Sequence, residues 1–452
     1  MASTAANPNH PCDQTHKHDA LRYVHPSSLT PYANNARTHS DAQVTQIADS
    51  IQRFGFTNPV LVSDNGEIIA GHGRVRAALT LGLSEVPTLA LSHLTEAECR
   101  AYVIADNKLA ENAGWDADIL SIELQALAEI DFDLELTGFS LGEIEVVLDG
   151  AGQAQPDPAL NTIEDLRPGP AVTQRGDLWY LGAHRLLCGD ATVATDITRL
   201  MGDDRAEVIF TDPPYNVRID GNVTGLGRQK HREFAVASGE MSREAFTAFL
   251  TTTLSHMASV AVDGAIAYVC MDWRHMQELL AAGETAFAEL KNLCVWNKTN
   301  AGMGTFYRSK HELVFVFKIG TAAHINSFGL GESGRYRTNV WDYAGANVLG
   351  QALDEALAMH PTVKPVELIV DALKDCSRRG SIVLDGFGGA GSTLIAADSC
   401  GRKARLLEID PHYCDTIIRR YIALTGDRDV RNADGERFSD RAASAQSEVT
   451  MP

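Results

Sequence analysis

Apolar residues recur at helical spacing from Asp41 to Phe54, with Val44, Ile47, Ala48 and Ile51 on one face. A β-branched run follows from Pro59 to Ser63. Asn65-Gly66 is a hairpin turn signal, and Glu67 to Ala70 is the return strand. Gly71-His72-Gly73 leads into a helix from Arg74 to Leu81, stopped by Gly82. Ser92 to Glu111 and Ile119 to Glu129 have the pattern of further helices, with Trp115 between them. From Asp177 to about Gly426, short apolar runs alternate with helical stretches. The candidate strands are Val208–Thr211, Ala265–Met271, Leu293–Asn297, Leu313–Lys318, Ser381–Leu384 and Ala404–Glu408. Such alternation predicts an α/β fold with a largely parallel sheet.

Composition divides the chain further. Residues 1–20 read as a polar tail, 21–115 as a small α+β domain and 116–149 as an acidic helical extension. Four of the 16 prolines (Pro156, Pro158, Pro168, Pro170) fall in residues 150–176, which read as a linker. Residues 177–426 form the α/β domain, and 427–452, charged and rich in Ser and Ala, a flexible tail. The net charge is 39 − 59 = −20. From Thr95 to Asp165 there are 17 acidic and 2 basic residues, so most of the excess sits on the helical extension. An acidic total argues against nonspecific coating of nucleic acid, yet leaves room for a local basic site. No run of 18 apolar residues exists, and the N-terminus lacks the apolar core of a signal peptide. Eight scattered cysteines, none in a CxxC pair, predict free thiols in the cytoplasm and no metal site.

Two strings carry the chemistry. The strand Val208–Thr211 runs straight into Asp212-Pro213-Pro214-Tyr215. Two prolines fix φ and remove two backbone donors, leaving bare carbonyls beside a carboxylate and an aromatic ring. That set suits an amino group on a planar base: Asp212 and the Pro213 carbonyl accept its hydrogens, and Tyr215 stacks. The second string is Asp385-Gly386-Phe387-Gly388-Gly389-Ala390-Gly391-Ser392, between a strand and a helix. Its glycines permit close backbone approach to a ligand. No Lys follows the last glycine, so it is not a phosphate-cradling loop. Glu408 lies 23 residues beyond Asp385, about where a carboxylate meets ribose hydroxyls in dinucleotide folds.

Together these strings resemble the amino-group DNA methyltransferases that use S-adenosylmethionine. His360-Pro361-Thr362-Val363-Lys364-Pro365 ahead of the glycine loop matches a further element of that family. The order, with the Asp-Pro-Pro-Tyr string first, resembles the β permutation class. The resemblance implies a Rossmann-like methyltransferase domain. It implies S-adenosylmethionine held by Asp190, Thr362, Lys364, Asp385, Phe387, Gly389, Gly391, Ser392 and Glu408. It makes Asp212, Pro213, Pro214 and Tyr215 the catalytic set, acting on a base flipped from double-stranded DNA. Adenine is the expected target, since this string is commoner among adenine enzymes than in β-class cytosine enzymes. N4-cytosine methylation is the alternative. A carbon-5 cytosine enzyme would need a Pro-Cys nucleophile, and the chain has only Pro11-Cys12 in its tail.

Two basic stretches are candidates for reading DNA. Asn216 to Arg232 carries Arg218, Arg228, Lys230 and Arg232 against Asp220. Trp296 to Arg337 carries Lys298, Arg308, Lys310, Lys318, Arg335 and Arg337 against Glu312 and Glu332. His311-Glu312 and Trp341-Asp342 either order the pocket floor or simply pack there.

The first domain resembles the ParB/sulfiredoxin type, through Asn34-Asn35-Ala36-Arg37-Thr38-His39, Phe54-Gly55-Phe56 with Pro59, Gly71 to Ala78, and Leu81-Gly82-Leu83 with Val86-Pro87. His72 stands where the ParB string has Glu. Arg74 and Arg76 are candidates for a nucleotide's phosphates, or are helix-surface arginines. The expected partners are double-stranded DNA, a nucleotide at this domain and a second copy of the chain, with no membrane. The rival reading is a noncatalytic ParB-like DNA-binding regulator. RNA as substrate is a weaker option.

Overall fold

The structure is a computed structural model of the chain. It describes residues 20–130, 132–150, 158–161, 170–217, 237, 239–299, 306–328, 335–344 and 364–449. The chain forms two compact units, Met1–Ala151 and Gly152–Pro452.

The first unit holds a four-stranded sheet in the order β1-β4-β2-β3. Its elements are β1 (Arg22–Val24), α1 (Asp41–Phe54), β2 (Val60–Val62), β3 (Ile68–Ala70), α2 (His72–Thr80), β4 (Val86–Ala90), α3 (Glu96–Glu111), α4 (Ala117–Glu129) and α5 (Leu141–Leu148). Local chemistry sets the helix starts. The Ser40 hydroxyl accepts from the Gln43 N–H ahead of α1. Thr95 with Glu98, and Ser140 with Glu143, form reciprocal capping boxes ahead of α3 and α5. Val60, Val62, Ile68 and Val75 make the core under the sheet. Leu124, Leu134 and Ile144 make a separate small core under α4 and α5. Besides its acids, this helical region exposes Ile104, Leu109, Trp115, Ile119, Ile122 and Ile130.

The second unit is built on a ten-stranded sheet, ordered β11-β9-β10-β8-β7-β12-β13-β6-β5-β14. Its elements run β5 (Leu178–Leu181), β6 (His184–Cys188), α6 (Ala194–Met201), β7 (Ala206–Thr211), α7 (Arg243–Ser259), β8 (Ala261–Met271), α8 (Met276–Ala286), β9 (Glu289–Lys298), β10 (His311–Lys318) and β11 (Val340–Tyr343). They continue with α9 (Val366–Cys376), β12 (Ile382–Asp385), α10 (Ser392–Ser399), β13 (Lys403–Glu408), α11 (Pro411–Thr425), β14 (Arg431–Asn432) and α12 (Phe438–Val449). The central run β8-β7-β12-β13-β6 is parallel, and so is β11 on β9. The pairings β8-β10, β10-β9, β6-β5 and β5-β14 are antiparallel. Helices cover both faces. Leu368, Ile369, Leu394 and Ile417 pack on one, and Ile197, Phe246, Leu254 and Leu279 on the other.

Three features depart from the sequence expectations. β5, β6 and β11 were not anticipated, because each is short and bounded by turn residues. The segment from 427, expected as a flexible tail, is tied down instead. Arg431 and Asn432 pair with Tyr180 and Trp179, and the Phe438 ring meets the Trp179 ring edge-on at 5.5 Å. The far end of the expected linker also packs on the second unit. Asn161 Oδ1 accepts the Val366 N–H at 3.1 Å, and its amide donates to Glu367. Arg420, buried, donates to the carbonyls of Leu160 and Ala390. The amides of Val172 and Thr173 both donate to the Asp415 carboxylate. Prolines in this stretch mark an irregular chain, and irregular backbone with satisfied polar groups packs as well as a helix does.

Candidate active site

The strand order determines what meets at one edge of the sheet. β7, β12, β13 and β6 are consecutive and parallel. Their C-terminal ends carry Asp212, Asp385, Glu408 and Asp190 in that order. Open α/β sheets bind ligands at this edge. Direct bonds stitch the row together. Thr211 Oγ1 donates to Asp385 Oδ1 at 2.9 Å, and the Gly189 N–H donates to the Glu408 carbonyl at 3.0 Å.

At the β7 end the Tyr215 hydroxyl donates to Asp212 Oδ1 at 2.5 Å. Asn216 turns the chain with φ +52°. Its side chain holds that turn, accepting from the Gly239 and Met241 amides and donating to the Met241 carbonyl. Lys364 Nζ lies 2.5 Å from Asp212 Oδ2, 3.1 Å from the Tyr215 hydroxyl and 3.0 Å from Glu312 Oε2. Lys298 pairs with the other Glu312 oxygen. Two carboxylates and two ammoniums thus form a closed, neutral cluster under Tyr215. Burial pushes Glu312 up, but Lys364 and Lys298 outweigh it and hold the carboxyl at about 2. Burial also pushes Asp212 up, and there Lys364 opposes without prevailing. Asp212 is therefore the member of the cluster that takes up a proton first. Burial alone would lower Lys364, but Asp212 and Glu312 hold its ammonium well above the usual range.

The glycine loop is built differently. Asp385 is buried and accepts from Thr211, from Thr393 Oγ1 at 2.7 Å and from the Phe387 N–H at 3.0 Å. Glu408 accepts from the Gly389 and Asp410 amides at 2.7 and 2.8 Å. Burial pushes both carboxyls up to about 7, against those neutral donors. Gly389 and Gly391 have φ of +50° and +83°, the left-handed region that glycine adopts freely. At Gly386 the need is space, since a Cβ there would lie 2.8 Å from Met257 Sδ. Phe387 packs against Phe249. The Ser392 hydroxyl faces Arg420 at 3.3 Å, within the core. Asp190 Oδ1 accepts from the amide and hydroxyl of Thr192.

The structure thus joins Asp212, Tyr215 and buried Pro213 at one end of the edge, and Asp385, Gly389, Gly391 and Glu408 at the other, with Pro214 between the first two groups in sequence. Lys364, expected beside the cofactor, sits on Asp212 instead, because two carboxylates there need its charge. Thr362, Arg218, Arg228, Lys230 and Arg232 lie outside the described residues. The basic stretch from Trp296 is less basic in space than in sequence. Lys298 is spent on Glu312, while Arg335 and Arg337 pair with Asp371 and Asp375. Arg308 and Lys310 are exposed on the loop between β9 and β10. Glu312 was left undecided by the sequence. Its signal was a lone acid opening the otherwise apolar strand from Leu313 to Phe317.

In the first unit Gly71 precedes α2 with φ +106°. Arg76 is turned to the surface, donating to the His39 carbonyl at 2.8 Å and to Asp41. Arg74 is half-buried and reaches the Pro59 carbonyl at 3.5 Å, with its Nε buried and unpartnered. Among the described residues no group of three His, Cys, Asp or Glu could hold a metal ion. None of their helices is long and apolar enough to cross a membrane.

Comparisons with known proteins agree with this division. The DNA methylase family profile matches residues 206–419, the ParB N-terminal domain residues 11–107, and the ParB-methyltransferase HTH domain residues 118–175. The last takes in both the acidic extension and the expected linker. Over 68 residues the chain is 60% identical to the ParB-like nuclease domain-containing protein YnaK of Escherichia coli, covering 15% of this chain and 78% of that one. The putative methylase YubD of E. coli is 24% identical over 221 residues, 48% of this chain and 84% of its own. Among solved structures, M1.HpyAVI in complex with SAM covers 52% of this chain and 97% of its own, at 17% identity and TM-score 0.39. The DNA modification methylase TTHA0409 of Thermus thermophilus, complexed with S-adenosyl-L-methionine, covers 53% and 93% at 20% identity and TM-score 0.35. The buried Glu408 and Asp385 carboxyls beside a left-handed glycine turn fit S-adenosylmethionine, which carries hydroxyl donors and positive charge. A ParB-type first unit ahead of a parallel-rich α/β sheet, with Asp212 and the glycine loop on one edge, places the chain in the S-adenosylmethionine-dependent N6/N4 DNA methylase family.

Proposed function

We propose that the protein methylates the exocyclic amine of adenine at a specific site in double-stranded DNA, after the base has left the helix. The observation that carries this reading is the Asp212 carboxylate, buried beside Tyr215 and held by Lys364 at 2.5 Å. The amine lone pair is conjugated into the base and is a weak nucleophile. Acceptors at Asp212 and at the Pro213 carbonyl draw on its two hydrogens, localising the lone pair, and the Tyr215 ring supports the base. Bound S-adenosylmethionine supplies a methyl group on a sulfonium, held by Glu408, Asp385 and the Gly389 turn. The amine forms the new N–C bond as the S–C bond breaks onto sulfur. Most of the catalysis is positioning and electrostatics. The methylated amine is then cationic and loses a proton. Asp212 is suited to take it, because burial raises its carboxyl. The base must leave the stack to reach a pocket sunk at the sheet edge.

Nucleoside analysis of DNA from cells making the protein tests the reading. N6-methyladenine is expected, absent with Asp212→Ala although that variant still binds S-adenosylmethionine. N4-methylcytosine would transfer the same pocket to cytosine, and parent-level methylation by Asp212→Ala would reject the pocket. In the first unit, we infer that Arg74 meets a phosphate of a bound nucleotide, since its Nε is the buried polar atom left unpartnered beside the Gly71 turn. Arg74→Ala should then abolish nucleotide binding by the intact protein in calorimetry, and undiminished binding would reject the assignment.

A further inference from the structure

Two aromatic side chains stand out from the surface next to the Asp212 cluster. Phe306 is 87% exposed and Tyr307 81% exposed. Their ring centroids are 4.6 Å apart, edge to face. Both belong to the connection between β9 and β10. The Lys298 N–H closes the base of that connection by donating to the Lys310 carbonyl at 2.9 Å. Lys298 itself, and Glu312 two residues past Lys310, belong to the cluster under Tyr215. The rings are thus carried by the two strands that supply the pocket's charges. Arg308 and Lys310, both exposed, follow them.

Large apolar rings lose free energy in water, so a pair held outward marks a contact surface. Exposed rings beside exposed cations match a nucleic acid, whose bases stack on aromatic faces and whose phosphates attract the cations. A base that leaves the helix breaks its pairing and stacking, and inserted side chains offset that loss.

We propose that Phe306 and Tyr307 form a wedge. It enters duplex DNA at the target base pair and stacks on the bases left behind, while Arg308 and Lys310 meet the adjoining phosphates. The wedge rests on the reading of the Asp212 pocket as the base site.

The test uses the full chain and its Phe306→Ala/Tyr307→Ala variant. The probes are two duplexes carrying the sequence that the parent protein methylates in cells, one fully paired and one with an abasic site opposite the target base. Cofactor affinity and the unfolding curve of the variant should match the parent's, because both side chains lie at the surface. Methylation of the paired duplex should fall roughly five- to hundredfold. The abasic duplex, whose target base is already unpaired, should be methylated at close to the parent rate. With 2-aminopurine at the target position, fluorescence should rise on binding of the parent and fail to rise with the variant. Equal losses on both duplexes, or no loss on the paired one, would overturn the wedge while leaving the pocket intact. Parent protein that transfers no methyl group to either duplex would defeat the base site, and the wedge with it.

Discussion

The two ends of one sheet edge handle buried carboxylates in opposite ways. At the β7 end, Asp212 and Glu312 share Lys364, and Lys298 completes the neutralisation. At the β13 end, Asp385 and Glu408 have hydroxyls and amides but no paired cation among the described contacts, and burial lifts both to about 7. The first corner is electrostatically complete in the protein alone and offers shape and acceptors. The second is left short of positive charge and donors, which suits a ligand that brings both. The contrast separates base chemistry from cofactor binding by charge state as well as by position.

The most damaging way to break this contrast is to remove Lys364. Lys364→Met leaves two buried acids to share Lys298 alone. Stability should drop by about 3–5 kcal/mol, the usual cost of breaking a buried pair, and methyl transfer should disappear. Denaturant unfolding and a methylation assay measure the two effects. If the variant is as stable as the parent, the cluster is not an ionised network.

At the other corner, Glu408→Ala and Gly389→Val should each weaken S-adenosylmethionine binding while the protein stays folded. The first loses the acceptor that the Gly389 and Asp410 amides hold in place. The second forces a branched residue to φ +50°. Calorimetry that finds parent affinity in both variants would detach the glycine loop from the cofactor.

A gentler test is pH. Asp385 and Glu408 have native values near 7, above ordinary carboxyls, so the folded protein binds more protons than the unfolded chain between about pH 4 and 7. Their contribution to stability is therefore fully present below that window and is lost as pH rises through 7. Donors and positive charge from the cofactor favour the ionised forms. Cofactor binding should release protons below pH 7 and tighten as pH rises towards it. Calorimetry in buffers of different ionisation enthalpy reads the proton count directly, and proton uptake would contradict the charge assignment. Asp385→Asn should keep the fold and flatten the dependence, since Thr211 and Thr393 can reorient their hydroxyls toward an amide.

The smallest effect concerns the surface. Arg76→Ala removes only an exposed contact with Asp41 and the His39 carbonyl. Thermal unfolding should barely shift. A large shift would mean that the first unit relies on this arginine in a way its exposure does not suggest.

Much of the fold was legible because each long element carried its own local signal. Asp41–Phe54 had both a helical stripe and a Ser40 cap, and the central strands were apolar runs between turns. The site was legible where function lies in contiguous strings, as at Asp212 and at the glycine loop. It was hidden where function is made by pairing across the chain. Nothing near Lys364 in sequence says that its ammonium meets Asp212, 152 positions away. Arg335 and Arg337 added to the apparent charge of a DNA-reading stretch, and only folding shows them neutralised by Asp371 and Asp375 on α9. Proline content likewise misread residues 158–161, because composition reports irregularity and says nothing of docking.

That docked segment decides where the chain can be cut. Asn161 caps the helix that begins two residues after Lys364, and Leu160 gives Arg420 one of its carbonyls. A fragment starting at Gly169 would discard both, exposing the first turn of α9 and leaving a buried guanidinium short of an acceptor. A fragment starting a few residues before Pro158 keeps them. The working N-terminus of the catalytic module therefore lies upstream of the proline cluster's end, and a recombinant enzyme designed around the obvious composition boundary would begin one clasp too late.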